Sequence, residues 1–325
     1  MIVLGIESSC DETCAAVVKD SSVVLSNVVA SSLKFHSFYG GVIPEIASRA
    51  HLGSICIVVD AALKKARVKR QDLDLIAATQ GPGLIGSLLV GISFARGLSM
   101  GWKLPLMFVD HVRAHLYAAF IKHKNVVTFP FVGLVVSGGH TSLYKVNSIS
   151  CEELIGSTRD DAAGEAFDKV AKILELGYPG GPVIERMAQK GDPSAFAFRC
   201  GCGLGLDFSF SGIKTAVLYK TQELKKIYGE ISEDMKADIC ASFQKAVVND
   251  LVNKAVLAVK SANAKALVVG GGVVSNNILR DSLAAASCKY GIELYIARKK
   301  YCLDNAAMVA SFGGRLFKTS RKKYL

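Results

Sequence analysis

A chain of 325 residues, half of them hydrophobic, is long and apolar enough to bury a large core, and two domains are expected at this length. Nine cysteines without a CxxC pair argue against a disulfide scaffold or a thiolate zinc module. They fit a reducing compartment, with most thiols acting as small core fillers and the close pair Cys200-x-Cys202 lacking a matching partner pair for a metal. The formal net charge of +11 points to a polyanionic partner, nucleic acid first, with basic residues gathered at 64–70, 298–300 and 315–323.

The first residues, Met1-Ile2-Val3-Leu4-Gly5-Ile6-Glu7, turn acidic too early for a signal peptide and read as a strand. Glycine, serine or charge interrupts every apolar run before the roughly 18 residues of a membrane span. A cytoplasmic protein is expected.

Residues 2–18 read as strand, polar turn (Ser8-Ser9-Cys10-Asp11-Glu12-Thr13) and returning strand. Residues 73–79 form the next strand, running into Gly81-Pro82-Gly83 and a helix through Arg96. Then comes Val109-Asp110-His111-Val112-Arg113-Ala114-His115-Leu116. With Asp110 as N-cap this segment is a helix, and the spacing of four stacks both imidazoles on one face while Arg113 points between them and off it. Two stacked imidazoles are half of a metal site, which needs a third ligand from elsewhere.

Residues 131–146 repeat the plan of the first hairpin, with the turn Ser137-Gly138-Gly139-His140-Thr141. Amphipathic helices follow at 164–176 and 236–259, their apolar positions serving the core. A strand at 266–269 runs into Gly270-Gly271-Gly272 and a helix from about Asn276. Two α/β halves of similar plan are implied. Small residues in such turns let backbone N–H groups converge on an anion, and a following helix adds its dipole, so a phosphate-bearing ligand is expected between the halves. Hairpins and helix caps also use glycine without any ligand. The tail, 317–325, is basic and expected to be mobile.

Gly5-Ile6-Glu7-Ser8-Ser9-Cys10-Asp11-Glu12-Thr13, the HxxxH, Val136-Ser137-Gly138-Gly139-His140-Thr141 and Tyr178-Pro179-Gly180-Gly181-Pro182 together resemble the TsaD family. So do Gly271-Gly272-Val273 with Asn276, and Cys302-Leu303-Asp304-Asn305-Ala306-Ala307-Met308. The resemblance implies an α/β, actin-like (Hsp70-like) ATPase fold of two RNase-H-like domains with a nucleotide and metal cleft between them. The boundaries expected are 1–128, then 129–303 with a helical insertion at about 151–240, then a C-terminal helix and tail, 304–325, packing back on the N-terminal domain.

The implied activity is transfer of threonylcarbamoyl from threonylcarbamoyl-adenylate to the exocyclic amine of the adenosine 3′ of the anticodon, in tRNAs reading codons that begin with adenosine. By resemblance, His111, His115 and Asp304 hold one divalent metal, Fe²⁺ first and Zn²⁺ as the alternative. Val136, Ser137, Gly138, Gly139, His140, Asp168, Gly181, Glu185 and Asn276 hold the adenylate, and Asp11 and Glu12 offer an acidic side chain to the reacting centre. The implied partners are tRNA, a paralogous TsaB-like subunit on the N-terminal domain and a small TsaE-like ATPase.

Two positions depart from the family pattern: Arg113 stands where many members have an acidic residue, and Leu303 where many have threonine. A metallopeptidase reading is poor, because Val112, Arg113 and Ala114 supply no carboxylate base between the histidines. A metal-dependent ATPase or kinase of the same fold is the alternative, although Mg²⁺ prefers oxygen ligands and paired imidazoles favour a transition metal. A non-catalytic scaffold for nucleotide and RNA is the third reading.

Overall fold

The computed structural model describes residues 1–32, 36, 41–123, 128–201 and 205–322; Cys202 and the last three residues of the basic tail lie outside them. The chain divides into two units. Unit 1 comprises Met1–Val127, Ser148–Cys151 and Ala297–Leu325, and unit 2 comprises Thr128–Asn147 and Glu152–Ile296.

Unit 1 is built on β1 (Ile2–Glu7), which pairs antiparallel with β2 (Glu12–Lys19). The β2 strand pairs antiparallel with β3 (Val23–Ser31). On its other edge β1 runs parallel to β4 (Leu75–Gly81), and β4 parallel to β5 (Leu106–Asp110), giving the order β3-β2-β1-β4-β5. As expected for a central strand covered on both faces, β1 is a near-continuous apolar run buried from Val3 to Glu7.

Its alternate side chains meet different helices. Leu4 and Ile6 join a core with Ile55, Val58, Val59 and Ala62 of α1 (Pro44–Ala66) and Ala95 of α2 (Ile85–Trp102). Gly5 points to the opposite face, where a Cβ would collide with the Ala306 carbonyl of α9 (Ala306–Lys322). That close backbone approach is what a glycine in mid-strand permits. The short α3 (His111–Ala118) follows β5 directly and packs against α9.

Unit 2 repeats the plan. Here β6 (Phe131–Val136) pairs antiparallel with β7 (Thr141–Ser148), β8 (Cys151–Ser157) extends that edge, and β9 (Ala266–Gly270) runs parallel to both β6 and β10 (Glu293–Ile296). Its helices are α4 (Ala163–Ile173), α5 (Gly180–Ala188), α6 (Ser211–Tyr228), α7 (Glu233–Ser261) and α8 (Asn277–Tyr290).

Several expectations shift. Unit 1 resumes at Ala297, ahead of the expected 304, and residues 297–303 fold into a compact turn in which the buried Cys302 thiol donates to the carbonyls of Ala297 and Arg298. The segment expected as a helical insertion at 151–240 begins with a strand, β8, and its helices continue to Ser261. The 236–259 helix starts earlier, at Glu233, since Ser232 caps it by accepting from the Met235 N–H. The helix placed at 164–176 ends at Ile173, and Glu175 turns left-handed.

Two helices, α1 and α2, reach the length and mean hydropathy (1.4 and 1.2) of a membrane span, which the count of uninterrupted apolar runs missed. Both pack in unit 1, against the sheet and each other. The described cysteines are free thiols.

Candidate metal centre and anion turn

In unit 1 the C-terminal ends of β1, β4 and β5 deliver three groups to one place: Glu7, Thr79, and the β5–α3 junction with His111. Asp110 caps α3 by accepting from the Arg113 N–H at 2.9 Å, so the first turn carries His111 and the next His115, ring centroids 4.8 Å apart and nearly perpendicular. Asp304 comes from the last turn before α9. Its neighbour Asn305 fixes that turn by accepting from the Met308 N–H and donating to the carbonyls of Tyr301 and Leu303.

Asp304 Oδ1 lies 3.5 Å from His111 Nε2 and 3.3 Å from His115 Nε2, and one donor atom from each of the three residues falls within 4.8 Å of the others. His115 is 1% exposed, and among the described residues neither of its ring nitrogens has a hydrogen-bond partner. A buried imidazole left with both nitrogens unsatisfied is costly in a protein interior. Together with a carboxylate and a second imidazole it fits a bound metal ion, and an N₂O donor set suits a transition metal better than Mg²⁺. The three residues can hold one.

Arg113 is engaged elsewhere. Its guanidinium stacks 4.9 Å over the Phe312 ring and donates to the Ile149 carbonyl, as the helical geometry required. Leu303 leaves its side chain exposed and contributes only its carbonyl.

Sequence reasoning missed Glu7, which is fully buried. Its Oε1 accepts from the Ser9 N–H at 2.6 Å, and its Oε2 from the Thr79 hydroxyl at 2.5 Å and from His111 Nδ1 at 3.1 Å. Burial opposes its charge, but His111 and these donors outweigh burial and hold the carboxyl below the usual range. Burial would likewise lower the His111 pKa, yet the negative charges of Glu7 and Asp304 push it up to about 9. The available signal was an acid ending an otherwise apolar strand.

In the turn after β1, Glu12 is partly buried. Burial, then the charges of Asp304, Asp11 and Glu7, push its carboxyl up to about 8. Asp11 contributes its carbonyl to Ser32, accepting from both N–H and hydroxyl. His51 braces the turn from behind, Nδ1 on the Thr13 hydroxyl at 2.7 Å and Nε2 on the Cys10 carbonyl at 3.0 Å. The Cys10 and Cys14 thiols are driven well above their ordinary values, by burial first, so neither is a ready thiolate.

The second constellation lies in unit 2. After Val136, the Ser137 N–H donates to the His140 carbonyl and the His140 N–H to the Ser137 hydroxyl, closing a tight turn. Gly138 and Gly139 face open space. Gly271 (φ +105°) abuts the Val136 backbone, and Gly164 abuts Ser137 and Gly138 so closely that a Cβ on either would collide. The turn, the start of α4 and the β9 glycines therefore converge.

Asp168 on α4 accepts from the Gly180 N–H at 2.7 Å and caps α5, with Gly181 beside it; burial raises its carboxyl above the usual value. Two of the residues assigned to the adenylate have structural partners. Glu185 Oε1 accepts from the Asn277 N–H and side-chain amide at the start of α8. Buried Asn276 caps α8 through the Leu279 N–H and donates to Gln244. Both carry helix-end duties the sequence did not disclose.

Two units of the same five-stranded plan, one carrying a His-His-Asp group, define a protein of the actin-like ATPase fold. The fold recurs in component A of the (R)-2-hydroxyglutaryl-CoA dehydratase of Acidaminococcus fermentans, at a TM-score of 0.54 and 17% identity over 97% of this chain and 98% of that one. The sequence profile of the family described as "TsaD: tRNA N6-adenosine threonylcarbamoyltransferase" matches residues 23–311. Relatives of that name include those of Geobacter sp. strain M21, 52% identical over 95% of this chain and 90% of its own length, and of Caldicellulosiruptor saccharolyticus, 48% identical over 96% and 92%. The chain belongs to the TsaD family, and is a transferase.

Proposed function

We propose that the protein transfers the threonylcarbamoyl group of threonylcarbamoyl-adenylate to the N6 amine of the adenosine 3′ of the anticodon, in tRNAs reading codons that begin with adenosine. The observation that carries this reading is the buried His115, without a hydrogen bond among the described residues, beside His111 and Asp304 in a chain of this family. These three residues would hold one dication, Fe²⁺ first and Zn²⁺ second, which when bound supplies Lewis acidity to the carbamoyl carbonyl. The nitrogen-rich donor set argues against the Mg²⁺-dependent kinase or ATPase reading.

The rest falls to the chain's own groups. An acyl-adenylate is already activated, so orientation and charge stabilisation suffice; the elevated Cys10 and Cys14 thiols agree with a direct transfer. The N6 nitrogen attacks the carbamoyl carbon, the bond from that carbon to the phosphate oxygen breaks, and AMP leaves with the electron pair. Glu12, in its ionised form, takes the proton from N6, with Asp11 beside it; a dication held by Asp304 would offset one of the charges that raise the Glu12 carboxyl in the metal-free chain. The backbone of Val136, Ser137, Gly138, Gly139 and His140 holds the departing phosphate, and Asp168, Gly181, Glu185 and Asn276 frame the nucleoside.

Exposed basic residues at 64, 65, 67, 69, 70 and 298–300 hold the tRNA backbone, and the reaction belongs in the cytoplasm. A paralogous TsaB-like subunit docks on the outer face of α1 and α2. Supporting this, Leu52, Ile57, Ile85, Leu89 and Met100 are exposed there, Gly53 and Gly97 leave room for a close helix, and only 33% and 17% of the most apolar windows of the two helices are buried. A small TsaE-like ATPase resets the complex. The test is reconstitution with these partners, following the modified nucleoside by mass spectrometry in wild type and Asp304→Ala. Product from the wild type alone supports the reading; equal product from both overturns it.

A further inference from the structure

The two histidines of the trio are held in unlike ways. Neither nitrogen of His115 has a hydrogen bond among the described residues, its Nε2 only approaching Asp304 Oδ1 to 3.3 Å. His111 is tied from behind: its Nδ1 lies 3.1 Å from Glu7 Oε2 and 3.1 Å from the Ser9 hydroxyl, while its Nε2 faces Asp304. Glu7 already accepts from the Thr79 hydroxyl on the same oxygen and from the Ser9 N–H on the other, so it is engaged throughout as an acceptor, the role of an ionised carboxylate. The ring nitrogen facing it must then carry a proton, in the imidazolium of the metal-free chain and in a neutral, metal-ligating ring alike.

We propose that Glu7 is a positioning residue: braced by Thr79 and Ser9, it keeps the proton of His111 on Nδ1 and thereby reserves the Nε2 lone pair for the metal. The inference rests on the reading of His111, His115 and Asp304 as ligands. A ligating imidazole whose second nitrogen donates to a carboxylate is fixed in tautomer and orientation and becomes a stronger donor. Two strand pairings make the arrangement specific. Glu7 ends β1, Thr79 lies on the parallel neighbour β4, and His111 follows β5 on the next strand, so sheet order alone brings carboxylate, hydroxyl and imidazole into line. The carboxylate also adds a buried negative charge behind the ligand, so one dication with Asp304 and Glu7 makes a neutral group. His115 has no such brace among the described residues, and a bound metal would supply its partner.

The test uses the full chain stripped with a chelator and titrated with Zn²⁺ and with Co²⁺ against a chelating indicator. Glu7→Gln keeps the size of the side chain and removes its charge and acceptor-only character. It is expected to lower affinity about 10- to 100-fold, to shift the visible bands of the Co²⁺ form, and to lose the protected His111 Nδ1–H signal in the ¹⁵N-histidine spectrum of the Zn²⁺ form. His111→Ala is expected to abolish binding. If the wild type takes up no metal, the ligand reading fails. If it does, and Glu7→Gln matches it in affinity and in both spectra, the ligands stand and the role of Glu7 is overturned. Should Glu7→Gln melt before it can be titrated, Thr79→Val leaves the carboxylate in place and removes one brace. A weaker site with an altered Co²⁺ spectrum supports the proposal, and an unchanged one contradicts it.

Discussion

Two histidines one helical turn apart, His111 and His115, meet the distant Asp304 in one place, and the chemistry proposed depends on what each is denied as much as on what it touches. Among the described residues the His115 ring has no hydrogen bond, so a His111→Ala, His115→Ala double variant is expected to bind no transition metal, and full occupancy in a metal analysis of it would sink the assignment. Glu12 gives a pH signature. Burial and the neighbouring acids raise its pKa to about 8, so between the ordinary carboxylate range and that value the native chain holds a proton the unfolded chain has released. Stability of the metal-free protein is therefore expected to fall as pH rises from about 5 to about 8, the native state binding more protons throughout that window. Glu12→Gln is expected to flatten the fall, measured as denaturant midpoints across the range; an identical pH profile would show that Glu12 does not titrate there. The pair spaced four apart is visible in the sequence, because helical periodicity alone fixes it. Glu7 is not, since its function depends on which strands lie beside β1.

At the scale of the element, Gly5 decides how closely α9 approaches the sheet, and α9 begins two residues after Asp304. A methyl at Gly5 would meet the Ala306 carbonyl and the Ala310 side chain. Overpacking of this kind costs about 1–3 kcal/mol, so Gly5→Ala is expected to lower the denaturant midpoint and, by displacing the turn that carries Asp304, to weaken metal binding as well. Loss of stability with unchanged metal affinity would show that α9 does not set the ligand's position. In unit 2 the corresponding test is Gly139→Val. Gly139 faces open space, so the variant is expected to fold normally yet lose affinity for an adenine nucleotide, because its side chain fills the room proposed for the phosphate. Unchanged affinity by calorimetry would move the site. Both hairpins and both strand–glycine–helix passages were legible from alternation and glycine placement. Helix ends were not, where a cap such as Ser232 or a left-handed residue such as Glu175 decided them, nor was the employment of Glu185 and Asn276 at the start of α8.

For the molecule as a whole, the repeated sheet order β3-β2-β1-β4-β5 and β8-β7-β6-β9-β10 gives each unit the same arrangement, and the two have diverged in what they carry: imidazoles and carboxylates in the first, a glycine turn in the second. The net charge of +11 suits a polyanion, and neutralised phosphates release counterions, so tRNA affinity is expected to fall steeply with salt while adenylate affinity changes far less. Parallel salt slopes for both ligands would argue against tRNA being held by its backbone. The most direct measurement of the central claim is the reconstituted transfer reaction, with threonylcarbamoyl-adenylate, tRNA and the partner proteins, comparing the wild-type chain with Asp304→Ala by mass spectrometry of the nucleoside. Modified adenosine from the wild type and a loss of at least about 100-fold in the variant is the expected result; equal yields, or no product from the wild-type complex, would contradict it.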